Sequence, residues 1–175
     1  SRLISGDLDR TIDAIQWAPD SKGLLIQYDD GGESMIAHLS LAGELRPLAE
    51  NTGGTSLGRP YPGGSFSVAS NGAIAFNQAS PHRPAELAII DQRGRSRLLT
   101  QLNEDLLSHK SLGKVEELHV PSGFDGRDIE GWIVYPPNYE PGRKWPMIME
   151  IHGGPVANYG PRFSAEVQLY AAAGY

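Results

Sequence analysis

Glycine-centred turns recur at matching places about 50 residues apart, and this repeat limits the fold more than any other feature of the chain. Gly23 aligns with Gly72, and Gly43 with Gly94. Around the first pair, β-rich runs at 12–18, 24–28, 34–39 and 45–48 are separated by Pro19-Asp20-Ser21-Lys22-Gly23, Asp29-Asp30-Gly31-Gly32 and Leu41-Ala42-Gly43-Glu44. Around the second pair, runs at 66–69, 73–77, 86–91 and 96–100 are separated by Ser70-Asn71-Gly72, Ser80-Pro81-His82-Arg83-Pro84 and Gln92-Arg93-Gly94. Short β-rich runs joined by tight Asp-Gly or Ser-x-Gly turns predict antiparallel hairpins. A four-stranded unit repeated at this period predicts propeller blades over 12–48 and 66–100. Two consecutive sheets of an ordinary sandwich are the competing architecture. Two blades cannot close a ring, so this reading expects further blades upstream of Ser1. It also expects each sheet, with one neighbour only, to leave an outer face open.

The rest of the chain follows a different grammar. Residues 51–65 hold Gly53, Gly54, Gly58, Gly63 and Gly64 with Pro60 and Pro62, a long loop between the two strand groups. Residues 103–107 predict one helical turn, followed by a linker through Gly113. Runs at 115–120 and 129–135 flank Gly123-Phe124-Asp125-Gly126 and predict a hairpin. Met147-Ile148-Met149-Glu150-Ile151 is nearly all apolar, as in a buried strand. Residues 164–173 predict a helix with Ser164 as N-cap, an apolar stripe of Val167, Leu169, Tyr170 and Ala173, and Gly174 as its stop. A buried strand, a glycine turn and a helix open an α/β domain. The expected division is therefore 1–112 for the propeller part and 113–175 for the start of an α/β-hydrolase domain.

Composition narrows the function classes. With 15 Lys and Arg against 21 Asp and Glu, the net charge of −6 argues against a nucleic-acid face, which needs clustered cations. No apolar run reaches the length of a membrane span, and no signal-peptide pattern opens the chain. The chain does not begin with Met, so it is expected to start inside a longer protein. Zero cysteines exclude disulfides, thiolate metal sites and a Cys nucleophile from this stretch, and leave cytoplasm and periplasm equally open. No His pair has zinc-ligand spacing, and Asp29-Asp30 and Asp7-Leu8-Asp9 read as turn residues, so neither metal nor cofactor is expected.

His152-Gly153-Gly154-Pro155 is the motif that carries chemistry. It lies between the apolar run and the helix, the position that supplies part of the oxyanion hole in α/β-hydrolases. Glycine suits that position because a backbone N–H must point into the site and a substrate carbonyl must approach the main chain closely. A plain strand-ending turn is the alternative for this tetrapeptide on its own.

Four stretches in order carry a resemblance: Leu98-Leu99-Thr100-Gln101-Leu102-Asn103, then Phe124-Asp125-Gly126-Arg127-Asp128-Ile129-Glu130-Gly131-Trp132, then Trp145-Pro146, then Ile151-His152-Gly153-Gly154-Pro155. Together they resemble the prolyl oligopeptidase family of serine peptidases, nearest its acylaminoacyl-peptidase and dipeptidyl-peptidase-like branch. The resemblance covers residues 98–175. It implies hydrolysis of short peptides through an acyl-enzyme, behind a propeller that excludes large substrates. It assigns the oxyanion-hole backbone to Gly154, and to Gly153 beside it. Tyr159 could line the substrate site, and His152 reads as structural, because the triad histidine of this fold follows the serine. A homo-oligomer is an open partner state.

Gly54-Thr55-Ser56-Leu57-Gly58 matches the G-x-S-x-G nucleophile pattern, yet Arg59-Pro60-Tyr61-Pro62-Gly63-Gly64 follows it. Two prolines and two glycines cannot start the helix that a nucleophile elbow requires. No other such pattern occurs, so the triad is expected outside this chain. An esterase-like α/β-hydrolase sharing the His-Gly-Gly turn, and a propeller binding module with an inert hydrolase part, are the rival functions.

Overall fold

The computed structural model describes residues 2–175. Among the described residues ten strands form three separate sheets, and two short helices follow the second and third of them in sequence. The first sheet holds β1 (Ile12–Trp17), β2 (Gly23–Asp30), β3 (Glu33–Ser40) and β4 (Leu45–Ala49), paired antiparallel in sequence order. The second repeats that order with β5 (Phe66–Val68), β6 (Ile74–Ser80), β7 (Arg83–Ile90) and β8 (Ser96–Leu98). Turn chemistry explains the register. Asp30 pairs with Glu33, and both residues between them, Gly31 and Gly32, have positive φ of 52° and 70°. That backbone is the two-residue hairpin turn whose twist matches its strands. Gly32 is confined a second time, since a Cβ there would lie 2.5 Å from the Trp132 ring.

The two sheets pack face to face. Leu25 and Ile36 of the first meet Phe66, Ile74, Phe76, Ala88 and Ile90 of the second in one core cluster. Truncating a side chain as buried as Phe76, 2% exposed, costs about 3–5 kcal/mol in such a core. The outer face of the first sheet is not left open as expected. Ile26, Tyr28, Ala37 and Leu39 are buried there beneath Ile4 and Leu8, because the segment before β1 folds back across them. A register shift between Ile12 and Ala14 lets β1 serve both clusters, with Ile12 in the outer and Ala14 in the inner. Ile15 and Trp17 of this edge strand stay exposed.

β6 and β7 run three residues closer to their turn than the sequence suggests, so Pro84 lies inside a strand. A register shift between Gln78 and Ser80 absorbs the irregularity where Pro84 has no N–H to offer. Beyond β8, buried Glu86 gathers the chain as it leaves the sheet. Its carboxylate accepts from Thr100 Oγ1 at 2.6 Å, Leu102 N at 2.9 Å, Asn103 N at 3.3 Å and Asn103 Nδ2 at 2.9 Å. The helical turn α1 (Glu104–Leu107) follows at once.

The third sheet is the hairpin of β9 (Val115–Pro121) and β10 (Asp128–Val134). Its start is tied to α2 (Ala165–Ala172) by Gln168, whose amide accepts from Gly113 N at 2.7 Å and donates to Gly113 O at 3.3 Å. Ser164 caps α2 as expected, its hydroxyl accepting from Val167 N at 3.2 Å, and Gly174 ends the helix at φ 94°. The buried face of α2 differs from the expected stripe: Gln168 and Ala171 are inside, and Leu169 is exposed. The helix turns toward Gly113 because Gln168 bonds both backbone groups of that buried residue, which no apolar side chain can do. No helix among the described residues is long and apolar enough to cross a membrane.

Candidate functional site

Residues 147–151, expected as a buried strand, form no strand. Met147, Met149 and Ile151 are each more than 70% exposed. A strand exists only through ladder bonds to a neighbour, and among the described residues no edge pairs with this run. β10, the hairpin strand that could offer one, bonds only β9. Between these two elements lies a cavity of about 390 Å³, walled by Ile129, Trp132, Ile148 and Ile151, with Tyr159 and Arg162 at its polar side.

The run leads into the turn of His152, Gly153, Gly154 and Pro155, which is exposed. Two neighbouring peptide groups of this turn are held by side chains. Gly153 N donates to Tyr61 Oη at 3.3 Å. His152 Nδ1 contacts Gly153 O at 2.8 Å, and since a carbonyl only accepts, Nδ1 carries the proton. Among the described residues nothing accepts from Gly154 N–H. A Cβ on Gly154 would meet no atom nearer than Val156 N at 4.0 Å, so its own chain does not require glycine there. His152 thus bonds within its own turn.

Tyr159 is half-buried in a polar knot. Its ring meets Tyr61 edge-on, centroids 4.9 Å apart, and lies 5.5 Å from the His152 ring. Its hydroxyl accepts from Arg59 at 3.2 Å and donates to Glu150 at 3.4 Å. Burial pushes the Tyr159 phenol up, opposed by the hydrogen bond from Arg59. Arg59 also pairs with Glu150 and with Glu166, the latter at 3.3 Å, and Tyr170 Oη donates to Glu166 at 2.6 Å.

Ser56, the serine of the G-x-S-x-G pattern, is exposed in the loop between the two large sheets, with no strand before it and no helix after it. That loop serves instead as a cap for α2. Leu57 O accepts from Ala165 N at 2.8 Å, and Gly58 O accepts from Ser164 Oγ at 2.8 Å and Glu166 N at 3.4 Å. Such carbonyls satisfy first-turn N–H groups that have no partner within a helix.

Sequence reasoning missed three further groups. Arg162, 5% exposed, donates to Gly32 O at 2.8 Å and Ser34 Oγ at 3.1 Å, clamping the β2–β3 turn to the chain before α2. Burial lowers its pKa, and nearby Glu33 and Asp29 oppose that. The Nε of Arg162 and the Nε1 of Trp132 are buried without partners beside the cavity. On the hairpin, Glu117, His119 and Glu130 bring donor atoms within 4.8 Å of one another. His119 bonds Asp128 at 2.6 Å and Glu117 at 2.7 Å, which raise its pKa in that order. Period-two spacing of Glu117 and His119 puts them on one face, but only the register, with His119 opposite Glu130, reveals the group.

No family model matches the chain. It is 30% identical over 174 residues to "Uncharacterized peptidase YuxL" of Bacillus subtilis, covering 99% of this chain and 24% of that protein. It is 27% identical over 165 residues to dipeptidyl-peptidase 5 of Aspergillus fumigatus, covering 92% and 22%. The fold superposes on Pyrococcus horikoshii acylaminoacyl peptidase with a TM-score of 0.77 at 24% identity, over 98% of this chain and 25% of that one. The chain thus spans about a quarter of the length of the curated relatives it matches.

Proposed function

We propose that this chain is a segment of a prolyl oligopeptidase-family peptidase, a reading supported by its likeness to the relatives above, and that it supplies the oxyanion turn of a serine peptidase acting on short peptides. The whole protein would cleave by an acyl-enzyme route, and the two four-stranded sheets would be blades of the propeller that restricts substrate size. Residues 1–112 belong to that propeller in this reading, and 113–175 open the hydrolase domain. The exposed apolar run 147–151 and the cavity beside β10 are then surfaces that the rest of the hydrolase domain covers.

One observation carries the proposal: in the exposed turn at 152–155 the Gly154 N–H has no partner among the described residues, and a Cβ on Gly154 would meet no atom nearer than 4.0 Å. When a nucleophile attacks a peptide carbonyl, its oxygen becomes an anion, and a fixed N–H aimed there is worth about 2.7–4 kcal/mol in the transition state. The Tyr159 ring, next to the turn, fits a wall of the substrate site. In this reading the serine, acid and base come from chain outside these 175 residues.

Full-length protein is expected to hydrolyse chromogenic short peptides and to be labelled covalently by a fluorophosphonate probe. The 175-residue chain alone is expected to do neither. Turnover by the isolated chain that vanishes in Ser56→Ala would restore the G-x-S-x-G loop as nucleophile. A full-length protein that cleaves esters but no peptide would move the assignment to an esterase.

A further inference from the structure

The loop between the two large sheets reaches the oxyanion turn and holds it. Five consecutive residues, Leu57 to Tyr61, each contact the 150–166 segment through a polar group. Leu57 and Gly58 cap α2, Arg59 pairs with Glu150 and Glu166, Pro60 O accepts from Gly160 N at 3.1 Å, and Tyr61 Oη accepts from Gly153 N. From this geometry we infer that Tyr61 is a positioning residue for the oxyanion turn, latched by Arg59 through Tyr159. The inference rests on the reading of 152–155 given above.

Two adjacent peptide planes set the direction of the donor. The plane between Gly153 and Gly154 carries both the donor N–H and the Gly153 carbonyl, which His152 Nδ1 holds at 2.8 Å. The plane before it carries the Gly153 N–H, which Tyr61 holds. With both held, the Gly154 N–H has a set direction before substrate arrives, and a preset direction is what makes a donor effective in the transition state. Glycine backbone is otherwise the least restrained in the chain, so a turn with two glycines needs such anchors. Tyr61 is itself fixed by its edge-on contact with Tyr159, whose hydroxyl is bonded to Arg59 and Glu150. It follows that Gly153 N–H is occupied by Tyr61, and that of the two glycines it is Gly154 that serves the oxyanion. The Tyr61 hydroxyl keeps its own proton for a further bond.

The test is Tyr61→Phe in the full-length enzyme, which removes the acceptor and keeps the ring. A neutral hydrogen bond of this kind is worth up to about tenfold. The expected result is a kcat about tenfold lower with KM within about twofold, and faster deuterium exchange in a peptide covering residues 152–157. Arg59→Met should show the same split more weakly. Unchanged exchange in Tyr61→Phe would overturn the contact, and unchanged kcat with faster exchange would overturn its role in positioning. A rise in KM alone would make Tyr61 a substrate contact and also overturn it. If the wild-type enzyme cleaves no peptide, the functional reading fails, while the exchange measurement still decides whether Tyr61 holds the turn.

Discussion

Gly154→Val in the full-length enzyme is expected to lower kcat by on the order of 10²-fold or more, with a smaller change in substrate binding. A glycine at this place could serve the fold or the chemistry, and the two uses separate. Its backbone is not in the left-handed region, and an added Cβ finds 4.0 Å of clearance to the nearest atom, so the variant should fold. What the valine blocks is the space in front of the N–H, where the carbonyl oxygen must come to about hydrogen-bond distance. Loss of that approach weakens a contact made mainly as charge develops, which appears in kcat rather than KM. Steady-state kinetics on a short peptide, beside a thermal melt of the same variant, decides it. A folded Gly154→Val enzyme with wild-type kcat would remove Gly154 from the oxyanion hole.

Glu86→Ala is expected to cost about 3 kcal/mol of stability, the largest effect of any single polar truncation in the two large sheets. Glu86 is 1% exposed and holds four donors from Thr100, Leu102 and Asn103. Alanine would take away the acceptor these part-buried donors share, and the chain leaving β8 would lose its anchor. The effect should also depend on pH. Burial by itself would raise the Glu86 pKa, but the bonds from Thr100, Leu102 and Asn103 outweigh it and hold the carboxyl below its ordinary value. A pKa lowered by folding gives stability that is present above the unfolded value, about 4.3, and is lost as pH falls through the folded one. The wild-type urea midpoint should therefore fall more steeply below about pH 4 than that of Glu86→Ala, the two curves converging in acid. Parallel curves would mean that the Glu86 carboxylate contributes nothing as an ion.

Local rules were enough wherever a short stretch of chain settles its own geometry. Gly31-Gly32 after two aspartates specifies a tight hairpin, and the structure has both residues at positive φ. Ser164 before the last helix reads as an N-cap and accepts from Val167 N as such a residue should. The serine pattern at 54–58 could be set aside from the sequence alone, since Pro60 and Pro62 forbid the helix it needs. The role the loop takes instead, as the cap of α2 and the anchor of the turn, depends on residues about a hundred positions away.

The apolar run 147–151 shows the limit from the other side. Its composition is that of a buried strand, but composition supplies side chains and not the neighbouring edge that makes a strand. The α2 stripe failed similarly: Val167, Leu169 and Tyr170 look like a core face, yet Gln168 is turned inward, where its amide bonds both the N–H and the C=O of Gly113.

By itself the sequence determined the two four-stranded groups, their turns, the hairpin after them, the capped helix and the place of the Gly153-Gly154 turn. Each of these follows from alternation, glycine φ or capping within a window of a few residues. Tertiary structure alone decided that Tyr61 and Arg59 reach the turn, that Arg162 clamps the β2–β3 hairpin, and that Gly153 N–H is taken while Gly154 N–H is free among the described residues. Those contacts join residues 91 to 130 positions apart, and a polar side chain carries no local mark of which distant partner will satisfy it.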